Sequence, residues 1–373
     1  MTFDSFNLHP RIQTNVHSLG YKTPTPIQAK SIAPILLGQD VMGLAQTGTG
    51  KTAAFALPIL HRLMQGPRGK IRALIVAPTR ELAQQIHDAI CEFAQGTGLR
   101  SVTLYGGVNI NTQIKALERG VEIVVACPGR LLDHLQQKTI QLTQVETLVL
   151  DEADQMFDMG FLPSIRKLLR FLPKKRQTLL FSATMPSAIR ELSREVLHDP
   201  ITIEIGHSAP ATSVNQILFP VAQKLKGELL IKILRKTPIE SVLVFTRTKR
   251  SAKQVSLKLE QAGFSATSLQ GNLSQNKRQT AMTGFRDGTL QILVATDIAS
   301  RGIDVTSISH VINYDMPSTV EAYIHRIGRT GRAAKLGEAF TLITQEDTLQ
   351  VRKIERVLGK KLEQCKLDDF DYR

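Results

Sequence analysis

The chain has 373 residues, which is more than one ordinary hydrophobic core holds, and this length predicts two domains. Its hydrophobic content of 42% is ample for folding, but no apolar run approaches the roughly 20 residues that cross a bilayer, which argues against a membrane protein. The formal charge of +14 and the pI of about 9.8 favour a polyanionic partner over a merely basic surface.

The aromatic content indicates how a nucleic acid would be bound, and the cysteine content indicates the compartment of the protein. Tryptophan is absent and aromatic residues make up 5% of the chain, so platforms on which bases could stack are scarce. A nucleic acid would therefore be held mainly by its backbone. The three cysteines are an odd number without metal-like spacing, which indicates a reduced, cytoplasmic protein. The N-terminal MTFDSFNLHP lacks the layout of a signal peptide, in agreement with that location.

Apolar, β-branched runs alternate with helix-like segments along the first half of the chain. Buried strands are predicted at 73–78, 121–128, 147–154 and 177–184. Fully apolar strands that alternate with helices are typical of parallel α/β sheets, which are covered on both faces.

The alternation pauses at GHSAPAT (206–212), a segment of small residues with few apolar anchors that predicts a linker. It then resumes, and further strands are predicted at 241–246, 266–271, 291–297, 310–315 and 338–344. We therefore predict an α/β protein with two open parallel-sheet domains, 1–205 and 213–373, joined by a short flexible linker. The two halves are expected to be distantly alike in fold.

Polar motifs stand at the ends of four of these predicted strands. They are PTREL, DEAD, SAT and ATD, at 78–82, 151–154, 182–184 and 295–297. Ligands of open α/β sheets bind beyond the carboxyl ends of the strands, so this placement predicts a functional edge in each domain.

The segment AQTGTGKT (45–52) predicts a phosphate-binding loop, although Ala45 replaces the usual first glycine. Gly48 and Gly50 let backbone N–H groups approach phosphate oxygens without a Cβ clash. Lys51 would neutralise the β- and γ-phosphates, and the hydroxyl of Thr52 would bind Mg²⁺. A glycine-rich turn without function is the alternative, which the partner motifs below make untenable.

The DEAD segment predicts the acidic part of the same site. Asp151 follows the apolar run TLVL, so its carboxylate should emerge at the sheet edge and suit Mg²⁺. Glu152 can orient or deprotonate the attacking water. A solvated acidic loop is the alternative, and it fits poorly with a position directly after a buried strand.

The segment HRIGRTGR (325–332) supplies Arg326, Arg329 and Arg332 from the second half of the chain. Arginines can spread the charge of a phosphoryl group in transfer. Taken alone, this spacing is equally compatible with an ordinary basic surface helix. A site divided between two domains is complete only when they meet, so nucleotide state could drive a movement.

These motifs together closely resemble those of the DEAD-box RNA helicases of helicase superfamily 2, over essentially the whole chain. The order of GYKTPTPIQ (20–28), AQTGTGKT, PTREL, the Gly106–Gly107 pair, DEAD, SAT, ATDIASRGID (295–304) and HRIGRTGR is that of the family. The resemblance implies two RecA-like domains, ATP and Mg²⁺ as cofactors, and RNA as partner.

The resemblance also implies roles for residues at the nucleotide. Gln28 would bond the adenine edge, with Phe3 stacked on the ring and Tyr21 close by. Arg329 and Arg332 would be arginine fingers, and His325 and Arg326 would link them to DEAD and SAT. Ser182 and Thr184 would relay hydrolysis to domain contact, or alternatively only cap a strand end. The implied nucleotide-binding set is Phe3, Tyr21, Lys22, Gln28, Ala45, Gln46, Thr47, Gly48, Thr49, Gly50, Lys51, Thr52, Asp304, Arg329 and Arg332, with Asp304 at the ribose.

RNA contacts are likewise implied by the resemblance, in both domains. They are Thr79, Arg80, Gly106, Gly107, Pro128, Gly129, Arg130, Arg247, Gly271, Gln275, Arg278 and Thr296. Glycines, hydroxyls and arginines suit a grip on phosphates and sugars that is indifferent to base sequence. One departure from the family is Cys127, where Thr is usual; a thiol donates a weaker hydrogen bond, which puts one RNA contact in doubt.

The expected function is RNA-dependent ATP hydrolysis coupled to local duplex separation or remodelling of RNA–protein complexes. An ATP-gated RNA clamp with little unwinding and a DNA translocase of the same superfamily are the alternatives. Similarity of the N-terminal segment to the bacterial RhlE-type group implies a role in ribosome assembly or RNA turnover. A monomer without membrane association is expected.

Overall fold

The computed structural model describes residues 1–46, 48–205, 214–297, 308–331 and 337–372. The chain divides into two compact units, Met1–His207 and Ser208–Arg373. The predicted linker lies outside the described residues, and the domain bounds of our sequence reading stay a prediction.

The first unit alternates strands and helices throughout. After a short 3-10 helix (Phe3–Phe6) it contains α1 (Pro10–Ser18), α2 (Pro26–Leu36), β1 (Val41–Leu44), α3 (Lys51–Leu63), β2 (Ala73–Val76), α4 (Arg80–Phe93), β3 (Ser101–Leu104), α5 (Ile110–Glu118), β4 (Ile123–Ala126), α6 (Pro128–Gln136), β5 (Thr147–Leu150), α7 (Ala153–Asp158), α8 (Leu162–Leu169), β6 (Gln177–Ser182), α9 (Ser187–Val196) and β7 (Ile201–Glu204). The strands form one parallel sheet in the order β3-β4-β2-β5-β6-β1-β7.

The apolar runs of the central strands are buried on both faces of this sheet. Because successive side chains of a strand point to opposite faces, Ile75 of β2 belongs to one core cluster and Leu74 to the other. Val149 and Leu148 of β5 divide in the same way. Because both faces are buried, the sequences of these strands are apolar without interruption.

The second unit has the same alternation. It contains β8 (Val214–Pro220), a 3-10 turn (Gln223–Leu225), α10 (Lys226–Lys236), β9 (Val242–Thr246), α11 (Lys249–Gln261), β10 (Ala266–Leu269), α12 (Gln275–Arg286), β11 (Ile292–Thr296), β12 (His310–Asn313), α13 (Val320–Ile327), β13 (Gly337–Ile343), a 3-10 turn (Gln345–Asp347), α14 (Thr348–Leu358) and β14 (Glu363–Gln364). Its parallel strands are ordered β10-β11-β9-β12-β13-β8-β14.

The two sheets have one topology, because adding seven to each strand number of the first order gives the second. The predicted α/β class, the two parallel sheets and the likeness of the halves are confirmed. All nine predicted strands are present, and the four that lead into PTREL, DEAD, SAT and ATD end before or within these motifs. Among the described helices, none combines the length and apolar composition that a membrane span needs.

Candidate functional site

The sequence motifs of the first unit lie at the carboxyl ends of its strands, and the strand order divides them into two groups. Strands β1, β6 and β5 are neighbours and lead into AQTGTGKT, SAT and DEAD. Strands β2, β4 and β3 are also neighbours and lead into PTREL, the Cys127–Arg130 segment and the glycine pair. The predicted nucleotide and RNA residues therefore occupy adjacent halves of one sheet edge.

The loop between β1 and α3 has the backbone that phosphate binding needs. Gly48 and Gly50 have φ values of 82° and 93°, in the left-handed region that favours glycine. A Cβ on Gly50 would collide with the side-chain amide of Gln28. Lys51 begins α3, is 6% exposed, and donates from Nζ to the carbonyl of Ala45 at 2.9 Å. Its ammonium is thus held across the loop, where it could neutralise bound phosphates. Thr47 lies outside the described residues.

Gln28 is bonded to this loop by its own side chain. Its Oε1 accepts from the backbone N of Thr25 at 2.8 Å, and its Nε2 donates to the carbonyl of Gly50 at 3.1 Å. The hydroxyl of Thr25 donates to the carbonyl of Thr49 at 2.8 Å. The first turn of α2 therefore supports the phosphate loop directly, in addition to any adenine contact of Gln28.

The aromatic residues of the N-terminal segment are arranged differently from the prediction. Phe3 is fully buried and packs edge-on against Phe6 and Tyr21, with ring centroids 6.0 and 5.8 Å apart. Its ring has no exposed face on which adenine could stack, so the predicted role of Phe3 does not fit this structure. Tyr21 is half-buried, and Lys22 is exposed.

Three carboxyl groups of the DEAD segment are buried close together at the end of β5. Asp151, Glu152 and Asp154 are 2%, 2% and 3% exposed. Burial raises the pKa of Asp151 to about 7 although the charge of Lys51 lowers it, and Glu152 adds to the rise. Glu152 has a left-handed backbone with φ 52°, a conformation that is costly for a non-glycine residue and concentrates at functional sites.

This donor set fits a nucleotide with a divalent cation. Asp151 and Glu152 are buried at this edge and Asp151 lies near Lys51, and carboxylate and hydroxyl oxygens are the ligands that Mg²⁺ prefers. Asp151 and Thr52 would hold the ion, and the glycine-containing loop would hold the phosphates. Glu152 follows Asp151 directly and could orient or deprotonate a water beside the ion.

DEAD and SAT are joined by Asp154, which our sequence reading did not select. Its Oδ2 accepts from the backbone N of Thr184 at 2.8 Å, from the Thr184 hydroxyl at 2.9 Å and from the N of Ala183 at 3.2 Å. The backbone N of Asp154 donates to Oγ of Ser182 at 3.2 Å. The signal for Asp154 was its place in the DEAD spelling beside a strand that ends in hydroxyl residues.

The predicted RNA residues of the first unit come together at the ends of β2 and β3. Thr79 caps α4 by accepting from the N of Leu82 at 3.2 Å. The guanidinium of Arg80 lies against the glycine pair, because a Cβ on Gly107 would collide with it and one on Gly106 would lie 3.5 Å from Nη2. Glycine at these positions leaves room for the arginine.

The segment after β4 joins the same group. Arg130 donates from Nη1 to the carbonyl of Val108 at 3.0 Å, next to the glycine pair. Pro128 is buried as the first residue of α6, and Gly129 is exposed. Burial raises the pKa of the Cys127 thiol to about 12, with a further rise from Glu81, so the thiol is neutral.

In the second unit, the predicted RNA residues follow β9, β10 and β11, the equivalents of β2, β3 and β4. Arg247 and Gly271 are exposed, Thr296 is half-buried at the end of β11, and Arg278 donates to the carbonyl of Gln270 at 3.3 Å. Lys249, which was not predicted, donates to Asn272 at 3.0 Å and bridges two of these loops. The side chain of Gln275 lies outside the described part of the chain.

Arg326 has a different place from the one predicted. It is 3% exposed and bonds Asp297 through Nε and Nη2 at 2.6 and 2.7 Å. Its Nη1 donates to Asn313 at 3.1 Å and to the carbonyl of Asp315 at 2.8 Å, and its guanidinium stacks 4.9 Å from the Phe245 ring centre. These contacts make it an internal support of the second unit, which does not fit a link to DEAD and SAT.

The other nucleotide residues predicted in the second unit are only partly described by the structure. His325 is half-buried near the end of α13, and Arg329 is 6% exposed just beyond it. Asp304 and Arg332 lie outside the described residues.

Comparisons with known proteins agree with this arrangement. Residues 25–192 match the family DEAD/DEAH box helicase, and residues 225–334 match the helicase conserved C-terminal domain. The chain is 42% identical to the ATP-dependent RNA helicase CshA of Listeria monocytogenes, over 99% of this chain and 71% of that protein. It is also 42% identical to the ATP-dependent RNA helicase DeaD of Mycobacterium tuberculosis, over 98% of this chain and 65% of that protein.

Solved structures are similar over the same length. S. cerevisiae Dbp5 bound to RNA and ADP BeF3 aligns with a TM-score of 0.86 and 28% identity, over 99% of this chain and 96% of that chain. The DEAD-box helicase Mss116 bound to ssRNA and UDP-BeF aligns with a TM-score of 0.90 and 27% identity, over 99% and 81%. The predicted likeness to the RhlE-type group stays a prediction.

Proposed function

Because the chain belongs to the DEAD-box family of ATP-dependent RNA helicases, we propose that it hydrolyses ATP in response to single-stranded RNA and thereby separates short duplexes locally. The observation that carries this proposal is the shared sheet edge of the first unit. The N of Asp151 donates to the carbonyl of Val76 at 3.0 Å, so the acidic cluster lies one strand away from the PTREL segment. We infer that a change at one half affects the other through these neighbouring strand ends.

The residues at the nucleotide half would divide the work of hydrolysis. ATP bound with Mg²⁺ supplies the phosphoryl group that is transferred to water. Lys51 compensates phosphate charge, and Glu152 orients the water and takes its proton. Asp154 holds the SAT loop in place beside them. Arg329 would stabilise the transferred group from the second unit, which makes hydrolysis depend on both units.

The first test is steady-state ATPase activity without nucleic acid, with single-stranded RNA, and with DNA of the same sequence. We expect low activity alone and strong stimulation by RNA only. Fast hydrolysis without RNA would contradict the proposed coupling, and equal stimulation by DNA would favour a general nucleic-acid translocase. Glu152→Gln should abolish turnover and trap a complex with ATP and RNA, whereas Glu118→Gln, at an exposed glutamate of the same unit, should not.

A strand-displacement assay with a short RNA duplex separates unwinding from clamping. Displacement that requires ATP supports the helicase. RNA-stimulated hydrolysis without displacement would favour the clamp, since both functions use the same residues.

The wider setting of this activity is also a proposal. We propose a cytoplasmic monomer that acts in ribosome assembly or RNA turnover, supported by the free cysteines among the described residues and by the RhlE-type resemblance. A single monomer peak in size-exclusion chromatography with light scattering tests the oligomeric state. Altered ribosomal-subunit profiles in a deletion strain test the pathway.

A further inference from the structure

The common topology of the two sheets allows their loops to be matched residue by residue. The N of Ala45 donates to the carbonyl of Ser182, and the N of Val221 donates to that of Ile343 in the same strand pair of the second sheet. In the same way, the N of Asp151 donates to the carbonyl of Val76 in the first sheet, and the N of Tyr314 donates to that of Phe245 in the equivalent strand pair of the second. Val221 therefore takes the position of Ala45, and Asp315, one residue after Tyr314, takes that of Glu152.

The loop after β8 has no glycine between Val221 and Lys226, in contrast to the phosphate loop of the first unit. It forms a 3-10 turn instead, and α10 then begins with Lys226 as α3 begins with Lys51. Without left-handed glycines this loop offers no cradle for phosphates. The lysine at the helix start is nevertheless retained, and it is 2% exposed.

Lys226 is directed at the end of β12. Its Nζ donates to the carbonyl of Tyr314 at 2.9 Å and lies 3.8 Å from Oδ1 of Asp315. Burial lowers the pKa of Lys226, which the charges of Asp315 and Asp347 oppose and that of Arg247 reinforces. Removal of one member of a buried ion pair leaves an uncompensated charge, so Lys226 and Asp315 are expected to constrain the groups that they bond.

Asp315 also forms hydrogen bonds with two residues of the candidate site. Its Oδ2 accepts from the backbone N of Arg247 at 2.8 Å. Its carbonyl accepts from Nη1 of Arg326 at 2.8 Å. Arg247 follows β9 and is exposed, at the position of the predicted RNA contact. A continuous set of bonds thus leads from Lys226 through Asp315 to the backbone of Arg247.

We propose that Lys226 and Asp315 are positioning residues that hold the Arg247 loop in the geometry for RNA binding. Lys226 occupies the helix start that Lys51 occupies beside the proposed phosphate site of the first unit. In the second unit the lysine at this helix start bonds the end of β12, whereas Lys51 bonds the first residue of the glycine-containing loop. This inference rests on the proposed RNA contact of Arg247 for its functional consequence, while the bonding itself can be tested separately.

The experiment compares the full chain with Lys226→Met, with Asp315→Asn, and with Lys224→Met as a matched control at an exposed lysine of the same loop. At saturating ATP, we expect the RNA concentration for half-maximal ATPase stimulation to rise about tenfold in both test variants. The rate at saturating RNA should stay within about twofold, because the residues act on RNA binding and not on chemistry. Lys224→Met should match the wild type.

Hydrogen–deuterium exchange without RNA gives a second readout that does not depend on activity. Exchange should become faster in the peptide containing the Arg247 amide and stay unchanged in the core strands of the second unit. Unchanged exchange at Arg247, or faster exchange throughout the unit, would overturn the positioning role. Absence of RNA stimulation in the wild type would instead overturn the proposed function, and exchange at Arg247 would still decide whether the pair holds this loop in place. If Lys226→Met does not fold, Asp315→Asn provides both readouts.

Discussion

Cys127 occupies a position where a helix normally receives a side-chain cap. It precedes Pro128, the first residue of α6, with φ −85° and ψ 142°, and its side chain forms no cap hydrogen bond. A hydroxyl at such a position accepts from a backbone N–H of the first turn. The departure from the family's usual threonine therefore affects the stability of α6 as well as an RNA contact.

We predict that Cys127→Thr stabilises the protein by about 1 kcal/mol, because the new hydroxyl can cap α6. This corresponds to a rise of about 2–4 °C in the unfolding temperature of a unit of this size. Calorimetry in the absence of ligands measures it. Cys127→Val has a similar shape without the hydroxyl and should give no gain. Equal stabilisation by both substitutions would show that packing, and not capping, is responsible.

The same variants separate the two effects of this residue. If the threonine hydroxyl contacts RNA, Cys127→Thr should tighten RNA binding while Cys127→Val does not. Unchanged RNA affinity in both variants would show that the side chain at this position is irrelevant to RNA.

At the scale of elements, the predicted strands include every described strand that is buried at all of its positions. β2, β4 and β5 are buried at every position, and their apolar runs were sufficient. β7 is an edge strand with three of its four residues exposed, and β14 has two residues, so neither has a comparable pattern.

The sequence was a better guide to the phosphate-loop residues of the candidate site than to Phe3 and Arg326. Motif order was sufficient to propose the residues around the phosphate loop, since the chemistry restricts their types and spacing. The burial of Phe3 and the internal bonds of Arg326 depend on packing with Tyr21 and on Asp297, which no local pattern reveals.

The link between α2 and the phosphate loop is the clearest case of one element that supports another. Gln28 bonds both the start of its own helix and the carbonyl of Gly50, and it is 2% exposed. A residue that only reads adenine would have no effect on the protein without nucleotide.

We predict that Gln28→Ala destabilises the nucleotide-free protein by about 1–3 kcal/mol, because two hydrogen bonds of a buried side chain are lost. Amide exchange in the peptide around Gly50 should become faster, as measured by mass spectrometry without nucleotide. Gln39→Ala, at an exposed glutamine just beyond α2, is the control and should change neither property. Unchanged stability together with a raised KM for ATP would show that Gln28 serves adenine alone.

At the scale of the whole molecule, each unit carries its own hydrophobic core. Two clusters lie entirely in the first unit and three in the second, on the faces of their respective sheets. The residues of the phosphate loop and DEAD belong to the first unit, whereas Arg329 and five of the twelve predicted RNA residues belong to the second. Folding is thus local to each unit, while the proposed activity requires both.

We therefore predict that fragments 1–207 and 208–373 each fold alone, but that neither has RNA-stimulated ATPase activity. Fragment 1–207 should unfold cooperatively and bind a fluorescent ATP analogue, because its phosphate loop and acidic cluster are complete. Circular dichroism and fluorescence titration measure both properties, and Lys51→Ala in the same fragment should abolish binding as a control. RNA stimulation of fragment 1–207 at the level of the full chain would show that the second unit is dispensable for hydrolysis. That result would remove the role proposed for Arg329, since a group confined to the other unit cannot then complete the site.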